Sequence, residues 1–199
     1  TATHLYGPGV LDMKLGVAMA LEALRTTPLQ REVVLLLVSD EEIGSPVSRP
    51  ITEKIAQTAA QLVSAQGAAI ILREGVSERG LVVAGSYGLS EEYADYLNRR
   101  RPVEVGKGAS GLAVERGEAV AVGDVLVDPI MEPWRDNLVR EHYRALVSVP
   151  LRHGSIIGVL NAYRVQPGEW TAREVDVLSL LAAHAAIAIR TAHLLDNSR

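Results

Sequence analysis

Three acidic residues in succession, Asp40, Glu41 and Glu42, stand in the stretch "SDEEIGS" after the apolar run "VVLLLV". Neighbouring carboxylates can ligate a divalent cation, and one of them can take a proton from the metal-bound water. That is the chemistry of a hydrolytic centre. A further carboxylate, Asp12 in "YGPGVLD", could join it. The plainer reading is a solvated loop at the end of a strand. Residue type alone does not decide between the two.

Other chemistry-bearing groups are sparse. Cysteine is absent, which excludes disulfides, thiolate metal sites, a thiol nucleophile and thiol redox switching. Of the five histidines, His153 falls in a turn, while His184 and His193 fall on opposite faces of the last helix. His142 is the one candidate for an axial ligand in a pocket, but the expected reading for it, as for the others, is a surface histidine. The glycines of "GKGASG" match neither the dinucleotide nor the phosphate-loop pattern, and read as a turn before a short helix. "NRRRP" is a small basic cluster in a chain of net charge -4, so no nucleic-acid partner is expected.

The elements that must position any site follow in order. "KLGVAMALEALR" predicts a helix, and "REVVLLLVSD" a strand covered on both faces. The grammar then changes, and residues 46–51 mark the clearest boundary. "ITEKIAQTAAQLVSA" puts Ile51, Ile55, Ala59 and Leu62 on one helical stripe. "GAAIILREG" and "GLVVAGSYG" read as strands, joined by the polar "VSER". Ser90 is placed to cap the helix "SEEYADYLNRRR". A short helix in "GKGASGLAVERGE" and a strand in "AVAVGD" come next. "VLVDPIMEPWRDNLVREHYR" begins as a proline-bounded loop with few internal anchors, expected to be mobile, and turns helical. "ALVSVPLRHGSIIGVLNAYR" reads as a hairpin with Gly154 at its turn. "TAREVDVLSLLAAHAAIAIRTAHLL" is a long helix opened by the capping box of Thr171 and Glu174.

The composition, 48% hydrophobic and 22% charged, is that of a folded soluble protein. Phenylalanine is absent, so the core must rest on Leu, Ile, Val and Ala, with two tryptophans and six tyrosines. No apolar run is expected to approach the roughly 18 residues of a membrane span. The expectation is a cytoplasmic protein with no membrane partner.

Residues 51–199 resemble a GAF domain. The resemblance rests on "GKGASGLAVERGEAVAVGDV", "ALVSVPLRHGSIIGVLNAYR" and "GEWTAREVDVLSLLAAHAAIAI", in that order. It implies an α+β fold, an α/β sandwich with a central antiparallel sheet. The N- and C-terminal helices would lie on one face and a small-molecule pocket on the other. Met131, Trp134 and Tyr143 would then line the pocket, with Ser86, Tyr87 and Ser148 as polar contacts. Met131 and Trp134 fit equally well as core caps beneath a long loop. The family includes cyclic-nucleotide, bilin and haem sensors and a thiol-dependent methionine-sulfoxide reductase. Absence of cysteine removes the reductase and thioether-linked bilin, and absence of phenylalanine breaks the family's cyclic-nucleotide set. The ligand stays unassigned.

Residues 1–50 resemble the zinc-dependent M20 peptidases, through "YGPGVLDMKLGVAMALEAL" and "VVLLLVSDEEIGSPVSR". That resemblance makes Asp12 the metal-bridging aspartate, Glu41 the general base and Glu42 a zinc ligand. These are vestigial candidates: with the family's other ligands and histidines unmatched, neither bound zinc nor peptidase activity is expected. The segment reads as a helix–strand appendage to the GAF-like domain, not as an independent domain.

The expected function is a regulatory module that binds a small molecule, forms a homodimer, or does both. Val177, Leu180, Leu181, His184, Ile187 and Leu194 recur at helical spacing, with alanines between, on the terminal helix. Such a face suits a second protomer or the chain's own sheet. A fragmentary metallohydrolase and a chimera without evolved activity are the alternatives.

Overall fold

The computed structural model describes residues 48–73, 80–100 and 102–196. The helix and strand expected before residue 48 lie outside these described residues, as do the "VSER" connection and Arg101. Helix α1 (Ser48–Leu62) leads into strand β1 (Gly67–Arg73) and then β2 (Leu81–Tyr87). Helices α2 (Glu91–Arg99) and α3 (Gly108–Arg116) precede the short strand β3 (Val120–Val122). A 3-10 turn (Pro129–Trp134) runs into helix α4 (Arg135–Arg140). The hairpin β4 (Ala145–His153) and β5 (Ser155–Arg164) follows, and α5 (Ala172–Asp196) closes the domain.

The sheet has the order β2-β1-β5-β4-β3 and is antiparallel at every junction. Its fold class is the expected α+β sandwich. β1 is buried at each position but its last, as a continuous apolar run between two covered faces should be. On one face α1 brings Ile51, Ile55 and Ala59 down onto the sheet. Beside it α5 buries Leu178, Ala182, Ala185, Ala186 and Ile189, and the alanines let the backbones approach closely. By length and composition α5 also passes for a membrane span, since Ala172–Ala192 has a mean hydropathy of 1.5. This differs from the expectation that no run would qualify. Part of that apolarity covers the sheet, and part, at Leu180 and Ile187, faces outward.

Local signals explain the element ends. Ser90 Oγ accepts the Tyr93 N–H at 3.0 Å and starts α2. Gly154 turns the hairpin at φ +69°. At the start of α5 the Glu174 carboxylate accepts the Thr171 N–H at 2.9 Å, and Thr171 Oγ1 accepts the Glu174 N–H at 3.3 Å. Arg164, at the end of β5, donates to that same carboxylate and to the Val63 carbonyl at 3.0 Å. Its guanidinium lies 3.9 Å from the Trp170 ring centre. One side chain thus ties the end of α1, the end of β5 and the start of α5.

β1 and β5 can pair only because Gly158 has no side chain: a β-carbon there would strike the Ile71 carbonyl oxygen and lie 2.9 Å from the Leu72 Cα. Gly158→Ala is therefore expected to cost about 3 kcal/mol in urea unfolding. Gly168, where an added methyl group would meet nothing within 4 Å, is the control, and Gly168→Ala should stay within about 0.5 kcal/mol.

Candidate functional site

The sheet face away from α1 and α5 is built in rows set by strand register. Val83, Ile71 and Val159 are paired across β2, β1 and β5, and Tyr163, Leu146 and Val122 across β5, β4 and β3. Between them runs the row Ser86, Ala69, Asn161, Ser148 and Val120, which crosses all five strands. Helices α2, α3 and α4 and the 3-10 turn cover this face. Under them lies a cavity of about 20 Å³. Ile71, Leu146, Asn161 and Tyr163 make its floor, Tyr93 and Leu97 one wall, and Met131, Trp134 and Leu138 its roof. The opposite wall is the first turn of α3, from Lys107 to Ser110. The volume suits a single water.

Gly108 holds the roof down. It sits at φ +62°, and a β-carbon there would come within 2.8 Å of the Trp134 ring. The indole therefore packs on the backbone of α3 where any side chain would push it away. The roof is anchored at both ends. Asp128 Oδ1 accepts the Ile130 N–H at 3.0 Å, and Arg135 Nε donates to the Val125 carbonyl at 3.1 Å. The expected shortage of anchors is thus corrected, because Arg135 reaches back ten residues to a carbonyl that sequence does not point to.

The floor contains a buried polar group. Asn161 is 2% exposed, and its Nδ2 donates to Ser110 Oγ at 2.8 Å and to the Tyr163 hydroxyl at 2.9 Å. Ser110 Oγ is in turn 3.2 Å from Ser148 Oγ. Asn161 Oδ1 has no hydrogen-bond partner among the described residues. An unsatisfied buried acceptor costs about 1–3 kcal/mol. Burial pushes the Tyr163 phenol up to about 12, and burial also raises Tyr93 and Tyr143. All three stay neutral at ordinary pH, and the cavity holds no buried charge.

The structure brings some of the expected site residues together and parts others. Met131 and Trp134 line the cavity and also belong to the core cluster. Ser148 stands one hydrogen bond behind Ser110. Tyr143 stands behind Tyr163, ring centres 5.3 Å apart, and its hydroxyl donates to the Gly88 carbonyl at 2.5 Å. Ser86 is on the cavity face but out on the edge strand, outside the lining. Tyr87 pairs with Ala68 on the other face and is 41% exposed.

His142 is exposed in a turn with φ +64°, away from the lining, in keeping with a surface histidine. Asp12, Glu41 and Glu42 lie outside the described residues. Among the described residues no group of three or more His, Asp or Glu side chains could hold a metal. Sequence reading missed Asn161, Ser110, Tyr93 and Tyr163. The available signal was "GVLNAYR", where an amide interrupts a strand that is apolar on both faces.

The family model described as GAF domain matches residues 50–190. That match lends no support to the peptidase resemblance of residues 1–50. Among solved structures, the chain is similar to the GAF domain of a phosphoenolpyruvate-protein phosphotransferase from Coxiella burnetii, with TM-score 0.62 and 20% identity. The likeness covers 72% of this chain and 82% of that one. It is similar to the blue-light absorbing form of the Thermosynechococcus elongatus PixJ GAF domain, with TM-score 0.59 and 17% identity over 82% of this chain and 95% of that one. A third is the free methionine-R-sulfoxide reductase of Neisseria meningitidis, solved in complex with its substrate. Its TM-score is 0.57, at 20% identity over 72% of this chain and 78% of that one. No curated protein matches the chain. At these identities the structural likeness establishes the fold.

The buried phenol gives the site a pH signature. Unfolded, Tyr163 loses its proton near pH 10, and folded near pH 12, so its contribution is intact below pH 10 and is lost as pH rises toward 12. Stability measured by denaturant unfolding should fall across that window, by about 3 kcal/mol from this group. Tyr163→Phe should flatten the fall without abolishing it, because Tyr93 acts in the same sense.

Proposed function

The chain belongs to the GAF domain family, and on that premise we propose that it is a sensory or regulatory module whose cavity takes a small molecule. The observation that carries this reading is the cavity's own chemistry. Asn161, a 2% exposed side chain in the lining, carries an oxygen without a hydrogen-bond partner among the described residues. Ligand sites are apolar with a few convergent polar groups, and this lining has that character.

A volume of about 20 Å³ admits a water, so any larger ligand must lift the Trp134 roof. α4 moves with it, since Trp134 directly precedes Arg135. Glu141, at the end of α4, accepts from the Ser90 N–H at 3.0 Å and the Ser90 hydroxyl at 2.6 Å. Displacement of the roof is thereby passed to the start of α2. This gives ligand entry a structural readout within the domain.

A homodimer is the second reading, favoured by α5. Leu180 is 62% exposed and Ile187 52%, two large apolar side chains on one helix. Their partner in this reading is the same face of a second copy.

Trp134 is the reporter for binding, because entry moves its indole between an apolar wall and water. A screen of nucleotides, purines, haem and small aromatic metabolites should shift tryptophan fluorescence, and Trp134→Leu should abolish the shift. Trp170, held under Arg164, should contribute a constant background. A fluorescence and melting temperature unmoved by every compound would remove the binding reading. For the dimer, sedimentation should give twice the chain mass, and Leu180→Glu combined with Ile187→Glu should give a monomer. A wild type that sediments as a monomer ends that reading.

A further inference from the structure

Two sets of groups in the cavity lining are complementary to each other. Asn161 Oδ1 lacks a donor. In the same lining, the first turn of α3 lacks acceptors: its capping residue Lys107 makes no side-chain cap. Among the described residues, the N–H groups of Gly108, Ala109 and Ser110 have no partner. α3 has nine residues, so its open first turn carries the partial positive charge of a helix N-terminus. The site therefore asks for one hydrogen-bond donor and one acceptor from the same occupant.

The remaining lining says what the rest of that occupant is. Lys107 is its only charged side chain, and the ammonium is largely exposed and 2.6 Å from Glu104. A charged ligand would lose its hydration here without gaining a buried counter-charge. The space it can take is that of the Trp134 ring, which packs against the backbone of Gly108. What replaces an indole there should be flat.

Building on the binding reading above, we propose that the ligand is a neutral planar heterocycle with an amide edge, an N–H beside a C=O. The N–H donates to Asn161 Oδ1. The carbonyl accepts from the first turn of α3. The ring occupies the slot that the Trp134 side chain vacates.

The test uses the full chain and two probes of one size: pyridone, which has the amide edge, and pyranone, in which a ring oxygen replaces the N–H. Pyridone should raise the melting temperature, quench or shift Trp134 fluorescence, and bind about tenfold or more tighter than pyranone. Asn161→Leu should bring the two to parity. Equal binding of both probes by the wild type overturns the amide-edge inference and leaves the cavity reading standing. A response to neither probe overturns the inference, and joined to a silent fluorescence screen it removes the binding reading too. The wild-type comparison decides whether or not the variant folds.

Discussion

The domain depends on the entry of β5 between β1 and β4. β5 is the last strand in the chain and the middle strand of the sheet, so the two halves of the sheet meet nowhere else. Its register with β1 sets which residues face the helices and which face the cavity. Two devices hold it there. Gly158 lets the backbones close, and Arg164 locks the strand's end to Val63 and Glu174. Burial alone would raise the Glu174 carboxyl, yet hydrogen bonds from Thr171 and Arg164 outweigh it and hold the group below its usual range. The carboxylate is thus charged, paired and capped at once, and the long helix starts where the central strand ends.

The two faces of the sheet solve different problems with that one strand. Toward α1 and α5 the need is close approach, and small side chains supply it: Ala68, Ala162, Ala182 and Ala186 are all fully buried. Toward the cavity the need is a recess, and β5 turns Asn161 and Tyr163 there. Filling the recess with leucine would relieve the unpartnered oxygen and make a drier core. The amide is kept in place instead by Ser110, which ties the first turn of α3 to the centre of the sheet. The polar group that costs stability is also the one that fixes the α3 wall against the sheet.

Element by element, the domain was readable from local signals. Ser90, Thr171 with Glu174, and Gly154 each act within four residues of themselves, so their consequences are visible in sequence. The site was not, because its residues are joined by register. Alternation along β2 would put Ser86 and Val83 on opposite faces, yet both share the cavity face. The irregularity between Ile70 and Ile71 inserts Ala84 as an extra residue and shifts the phase. Tyr87 falls on the far face for the same reason that Ser86 falls on the near one. Met131 and Trp134 were legible as apolar anchors in a long loop, but which side of them was empty depended on Gly108, a residue that looked like turn punctuation.

Gly108 also decides how such a pocket would behave. With the indole seated on the α3 backbone, the resting state is closed and its remaining volume is that of a water. On the binding reading, a ligand would have to bind an open form, and its apparent affinity would be reduced by the fraction of the population in that form. The same penalty keeps the pocket from filling with whatever apolar solute is abundant. Discrimination rests on a solute recovering the cost of opening, which apolar contact in a slot already filled by tryptophan cannot do. Only the bonds that the closed state leaves unmade, at Asn161 Oδ1 and the first turn of α3, offer a gain over the indole. On the binding reading, a tryptophan lid on a glycine seat would make the buried amide, and not the apolar wall, the part of the site that selects.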